Sequence, residues 1–404
     1  MLLRLSMSPF DIAVVGGGPA GAWNAYLLAT HGARVAIVDG SHPREKPCGG
    51  GLSARALDLL RLLGPSRPIP GVVIGSGNFG DGRADVDIAL PQAGAGIPAL
   101  LVASRRDLDL ALLDAAREAG AELVAERALG IERREGGWTI RTAHRALQCD
   151  RLVGADGANS LVRRSLTRPF PRRALSVASG YYVHGHSTSH IDIVFTVSPA
   201  GYLWSFPRRD HLAVGVGAQA DEATSAQLFE LAAAWIERRV GAPQSALTRY
   251  SWPIPSLSAA DLKEETSAGD GWLLIGDAAG LVDPITREGI YYALASAQLA
   301  ATCLRQEHSS RRYLEGLRDG IHEELRKAAR MKDRFFRSAF TGLLIRALQR
   351  SPAIRQLMAG LVSGTQTYAG LRRRLLFTGE MRLAVEYLLQ GWEAREKAEG
   401  KREN

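Results

Sequence analysis

The sequence predicts an α/β fold in which a parallel β-α-β unit opens the chain, an antiparallel sheet is inserted into it, and helices close it. Three observations predict this. An apolar run ends in a glycine cluster at the very start, residues 177–218 alternate like strands broken by Pro and Gly, and the pattern turns helical from about Ser310. Phe10 to Val15 reads as a buried strand, Ala20 to Thr30 as a helix, and Arg34 to Val38 as a second strand. Segments 106–119 and 287–303 carry helical periodicity. Beyond Ser310, Phe335, Phe336, Phe340, Leu343, Leu344 and Leu348 form one apolar stripe beside Arg334, Arg337 and Arg350. The expected division is 1–70, 100–170 and 268–308 for the first domain, 71–99 and 171–267 for the inserted sheet, and 309–404 for a helical region.

A chain of 404 residues with 46% hydrophobic and 23% charged content is ordinary globular material with enough length for two packed units. Cys48, Cys149 and Cys303 are scattered, which indicates neither a disulfide framework nor a zinc site and fits a reducing cytoplasm. His184, His186 and His190 lack completing acid or thiol partners beyond Asp192 and read as sheet histidines, so no metal is expected. Met1 to Phe10 is too short for a secretory signal, and no apolar run reaches membrane-spanning length. The net charge of +8 is uneven: Arg326 to Arg374 holds twelve Arg or Lys against one acid, Asp333. An anionic membrane surface is the expected partner of that end, reached by the apolar stripe; the alternative is a helical cap with a solvated basic face. Nucleic acid is not expected, since no reader motif accompanies the charge.

The glycines cluster where a backbone must approach a ligand. Gly16, Gly18 and Gly21 lie in GGGPAG between the first strand and first helix. The first suits a tight turn, the second a close approach to a pyrophosphate, and the third close packing. Asp39 ends the second strand, where a carboxylate accepts from ribose hydroxyls. A second signal is Gly154 to Ser160, with Asp156 in its turn. A third is Leu273 to Gly280, a strand that delivers Gly276 and Asp277 to a loop followed by Pro284, Gly289 and a helix. An acid there can bind a ribityl hydroxyl, and the helix N-terminus offers positive potential to an electron-rich ring edge.

With these three motifs in this order, the chain resembles the p-hydroxybenzoate hydroxylase-like flavoproteins, which implies a Rossmann-type FAD-binding domain with an inserted β-sheet substrate domain. The resemblance covers roughly the first three quarters of the chain. It implies FAD contacts from Gly16, Gly18, Ala20, Gly21, Asp39, Val124, Asp156, Gly276, Asp277, Gly289 and Ile290. It also implies an arginine near the flavin: Arg105 in Ser104 to Asp109, with Arg106 as fallback.

Two further segments, Lys46-Pro47-Cys48-Gly49-Gly50-Gly51 and Gly201-Tyr202-Leu203-Trp204-Ser205-Phe206-Pro207, look like the geranylgeranyl reductase family. Ser363 to Leu376, with Tyr368 and Arg372 to Arg374, resembles its bacterial members. That likeness implies an enzyme that saturates C=C bonds of an isoprenoid chain on a lipid, quinone or pigment precursor, with electrons from NAD(P)H or a ferredoxin-like carrier. Such chemistry needs a glycine-walled approach to the flavin, which Gly49 and Gly51 can give, and a dry apolar pocket. Tyr202, Trp204 and Phe206 alternate along a strand and share one face, where they wall a channel or simply pack a core. Pro207 completes the implied substrate strand. Cys48 is expected against the flavin, assisting reduction, with Lys46 near its thiol; its plain alternative is a small buried residue. Arg287 and Arg208 depart from the family pattern, which often has Gly and Lys there, and bear on head group and chain length. The rival readings are a flavin monooxygenase of the same fold, which shares every FAD motif, and a redox-inactive, flavin-stabilised lipid-binding protein. A halogenase fits less well, because no Lys occurs between Lys46 and Lys263.

Overall fold

The computed structural model describes residues 9–64, 66–92, 96–371 and 374. Most of the N-terminal segment tested for a signal, Arg372 and Arg373, and the end of the Ser363 to Leu376 segment lie outside the described residues.

Phe10–Val15 is a central strand because Ile12 to Val15 are apolar and buried on both faces, as a parallel strand under helices requires. It pairs in parallel with Val35–Val38 on one side and Ala146–Gly154 on the other. The eight-stranded sheet runs from Ala268–Gly269 through Trp272–Leu274, Ala146–Gly154, Phe10–Val15 and Val35–Val38 to Glu122–Val124, with the hairpin Gly130–Arg134 and Gly137–Arg141 attached to Ala146–Gly154. The chain leaves the first strand toward one neighbour and returns on the other, so a crevice opens at the strand's carboxyl end. Helix Pro19–Thr30 starts at that crevice and packs between helices Arg105–Glu118 and Ile290–Leu304.

The second sheet has seven strands in the order Leu247–Pro255, Leu175–His184, His211–Gln219, Ala200–Pro207, His190–Val197, Ser76–Gly80 and Asp85–Ala89. Helix Ser225–Arg239 covers one face with Leu228, Ala232, Trp235 and Ile236, spaced along one helical stripe. The opposite face looks into the molecule. Helices Ser338–Arg350 and Pro352–Ser363 pack against its His190–Val197 and Asp85–Ala89 edge. A three-stranded sheet of Gly51–Ser53, Leu100–Val102 and Val72–Val73 stitches the two halves together.

The C-terminal apolar stripe turns inward. Phe336, Leu343 and Leu348 are buried, and Phe335 and Phe336 join the core of the substrate-side sheet with Phe195, Tyr202 and Trp204. It therefore roofs the interior instead of presenting apolar surface, while Arg334, Arg337, Arg346 and Arg350 stay exposed. Among the described residues, no helix is long and apolar enough to cross a membrane.

Candidate active site

A cavity of about 870 Å³ runs from the carboxyl end of the first strand to the inner face of the second sheet. At its start the three glycines divide their work. Gly16 has φ +107°, and a Cβ there would stand 2.4 Å from the Ala155 carbonyl oxygen. A Cβ on Gly21 would stand 1.9 Å from the Gly16 oxygen, so Gly21 serves packing and does not line the cavity. Gly18 meets nothing closer than His42 at 3.5 Å. Its bare Cα leaves the N-terminus of helix Pro19–Thr30, with Ala20 beside it, open to an anion.

Asp39 sits on the cavity wall at the end of Val35–Val38. It accepts from the Gly17 N–H at 2.7 Å, from the Ser41 N–H at 2.6 Å and from the His42 N–H at 2.9 Å, and pairs with His42 Nδ1 at 2.8 Å. Burial alone would raise its pKa, but the His42 and amide contacts hold it well below the usual carboxylate range. Val124 does not line the cavity. Its carbonyl accepts the Asp39 N–H at 3.1 Å from behind, and Arg127, Ala128 and Leu129 form the wall there.

Arg105 lines the cavity and Arg106 is exposed, which separates the two candidates by geometry. Arg105 makes a two-pronged pair with Asp109, 3.0 Å on each arm, and is 4% exposed. Burial disfavours its charge, and the Asp109 carboxylate more than restores it. Asp156 lines the cavity but spends its carboxylate on the Ser160 hydroxyl and on the Leu161 and Val162 N–H groups at 2.6 and 3.2 Å, at the start of helix Leu161–Leu166; burial raises its pKa although these hydrogen bonds oppose the shift. Gly276, at φ +57°, also lies behind the wall, where its N–H donates to Ser296 Oγ at 3.0 Å. Asp277, Gly289 and Ile290 face the cavity, and Ile290 begins the second helix that points its N-terminus inward.

The loop bearing Cys48 forms the opposite wall. The Gly50 N–H donates to Cys48 Sγ at 3.2 Å, while Lys46 lies 3.4 Å from Asp277. The glycines here are spatially required: a Cβ on Gly49 would stand 2.8 Å from the Phe206 ring, and one on Gly50 would stand 2.2 Å from the Ala103 oxygen. Tyr202, Trp204 and Phe206 share the cavity face of Ala200–Pro207, as their alternation predicts. Pro207 does not line it, because odd-numbered positions such as Leu203 point to the helix-covered face. Burial raises the Tyr202 phenol, whose hydroxyl donates to the Thr286 carbonyl.

The FAD binding domain family model matches residues 9–329. A menaquinone reductase of Mycobacterium tuberculosis is 32% identical over 73% of this chain and 76% of its own length. The geranylgeranyl diphosphate reductase of Rhodobacter capsulatus is 28% identical over 72% of this chain and 74% of its own. This chain belongs to the geranylgeranyl reductase family of FAD-binding flavoproteins. A geranylgeranyl bacteriochlorophyll reductase-like protein from Thermoplasma acidophilum shares the fold, with a TM-score of 0.72 at 22% identity, covering 91% of this chain and all of that one.

The geometry fits FAD, and this geranylgeranyl reductase relative is an FAD-dependent oxidoreductase. Open Gly18 at a helix N-terminus suits the pyrophosphate, Asp39 the ribose, Asp277 the ribityl chain, and the Gly289–Ile290 helix start the pyrimidine edge. Bound FAD supplies hydride-transfer chemistry to the pocket. Arg208, singled out in the sequence for head group and chain length, is 1% exposed and donates to the Cys48 and Gly49 carbonyls, so it clamps the cysteine loop. Two further residues that hold this site escaped the sequence reading. His42 bridges Asp39 and Asp109. Glu45 accepts from Ser104 Oγ and from the Arg105 and Arg106 N–H groups. His42 and Glu45 lie in the stretch between two recognised motifs, and proximity was the available signal. Among the described residues, no group of His, Cys, Asp and Glu forms a metal site.

Proposed function

We propose that this protein reduces C=C bonds of an isoprenoid chain carried by a lipid, quinone or pigment precursor. The observation that supports this most is the apolar channel continuous with the cofactor groove. Tyr202, Trp204, Phe206, Phe195, Phe335 and Met358 line it beside the glycine loop. A long, water-excluding wall of this kind suits a prenyl tail and protects a hydride step from solvent. Cys48 sits on that wall and assists reduction there. Electrons arrive from NAD(P)H or a ferredoxin-like carrier.

The exposed arginines of the C-terminal helices supply docking on an anionic membrane, from which a prenyl lipid enters. This docking is electrostatic, since the apolar stripe is spent on the interior. Incubating the FAD-loaded protein with prenyl lipids and each donor, then weighing the lipid, tests the activity. A gain of two hydrogens per bond supports the reductase; a gain of oxygen would make the protein a monooxygenase, and an unchanged lipid a carrier.

A further inference from the structure

The loop from Asp283 to Gly289 sends a cationic side chain, that of Arg287, into the cavity. Arg287 has φ +56°, a region that favours glycine and is strained for a residue with a side chain. Its N–H donates to the Asp283 carbonyl at 2.9 Å, which fixes the turn and sends the side chain into the cavity. There the guanidinium carbon lies 4.8 Å from the centre of the Tyr202 ring and 5.5 Å from that of Phe336. On its flank is Gly217, where a Cβ would stand 3.1 Å from Arg287 Nε. Both Nε and Nη1 are buried without a hydrogen-bond partner.

The neighbouring acids are already engaged. Asp283 accepts from the Ile285 and Thr286 N–H groups and from the Tyr368 hydroxyl. Glu288 takes the Ser53 hydroxyl and pairs with Arg55. Two other cations on the cavity wall have carboxylates of their own, Lys46 with Asp277 and Arg105 with Asp109. Among the described residues no carboxylate pairs with Arg287. A planar cation held beside the stacked Tyr202 and Phe336 rings in a cavity with aromatic walls, with Nε and Nη1 unused, is best satisfied by an anionic oxygen brought by the ligand. A neutral carbonyl would fill a donor but leave the charge unbalanced in a poorly solvated place.

We propose that Arg287 is a specificity-determining residue that receives a phosphate-class oxygen of the substrate's head group, so that the site favours prenyl chains bearing a phosphate over those with neutral heads. This rests on the prenyl-chain reading above and names the head group that reading leaves open. The phosphate is that of a free prenyl diphosphate or of a prenyl glycerophospholipid.

Binding of saturated ligands separates this claim from turnover. The FAD-loaded wild type, Arg287→Gly, Arg287→Gln and Arg287→Lys are titrated with phytanyl diphosphate, a diphytanyl glycerophosphate in detergent micelles, phytanol and a menaquinone. Binding is read as the perturbation of the flavin spectrum, and FAD content checks that each variant folds. Wild type should bind the phosphate ligands at least about tenfold more tightly than phytanol, with the tighter of the two naming the source. Arg287→Gly, free of strain at this turn, and Arg287→Gln should lose that preference while phytanol binding holds; Arg287→Lys should keep part of it. The proposal is overturned if wild type prefers phytanol or menaquinone, or if the variants weaken all four ligands alike. It is also overturned if the flavin's reduction potential moves and ligand preference does not, since Arg287 would then serve the reduced cofactor. A wild type that shows this preference but saturates no prenyl chain would sink the reductase reading and leave Arg287's assignment standing.

Discussion

Cys48 shows how a residue legible in sequence still needs its surroundings. Its Sγ accepts from Gly50 N–H, so the thiol is tied to the turn of its own loop, and that loop is clamped by Arg208. Cys48→Ala removes the sulfur and keeps the glycines and the clamp. FAD content should therefore stay normal while turnover of a prenyl substrate falls at least about tenfold, within the range of a lost positioning or proton-handling group. Near-normal turnover with full FAD would remove Cys48 from the mechanism. The residues that were readable share one property: their role follows from chain-local spacing. Asp39 ends a strand, Gly18 opens a helix, and Tyr202, Trp204 and Phe206 alternate. The clamp made by Arg208 and the bridge made by His42 were not readable, because their partners, Cys48 and Asp109, are brought to them only by tertiary folding. Val124, Gly21, Gly276 and Pro207 stand one layer behind the cavity for the converse reason: motif membership does not say which face a residue presents.

Helix His322–Phe335 carries a buried histidine at its start. His322 is 6% exposed, its Nε2 has no hydrogen-bond partner, and its pKa is lowered from 6.5 to about 4 by burial and by the charges of Arg326 and Arg318. The unfolded chain binds this proton at higher pH than the folded one does. Stability is therefore complete above pH 6.5 and is lost as pH falls from there through 4. Across that window the loss approaches about 3 kcal/mol. His322→Gln should flatten this part of the stability profile, measured by urea unfolding at several pH values; an equal slope in variant and wild type would contradict the assignment. Elsewhere among the elements, the first β-α-β unit was plain from its apolar run and glycine turn. Helix Ser225–Arg239 was passed over within a region read as sheet, although Thr224 and Gln227 form a capping box that announces it. The stripe from Phe335 to Leu348 is helical apart from a break at Phe336–Arg337 between two helices, but periodicity shows that a helix has an apolar face and not whether protein or lipid covers it.

At the scale of the molecule, a flavin groove and an apolar channel meet under a roof of C-terminal helices whose outer face is basic. If that face docks on membranes, the protein should sediment with vesicles containing phosphatidylglycerol and not with neutral phosphatidylcholine. Each exposed arginine near the surface contributes about 1 kcal/mol at low salt, and added salt should release the protein. Equal binding to both vesicles, or none, would leave the basic face merely solvated. The central claim is that one cavity holds FAD beside a prenyl chain for reduction. The most direct measurement is to reduce the bound flavin anaerobically with dithionite, remove the excess, add geranylgeranyl diphosphate or a prenylated quinone, and follow the visible flavin band with mass spectrometry of the lipid. Return of the band without oxygen, together with a lipid heavier by two hydrogens, is the predicted result; a flavin that stays bleached until air enters and then yields an oxygenated lipid would contradict it.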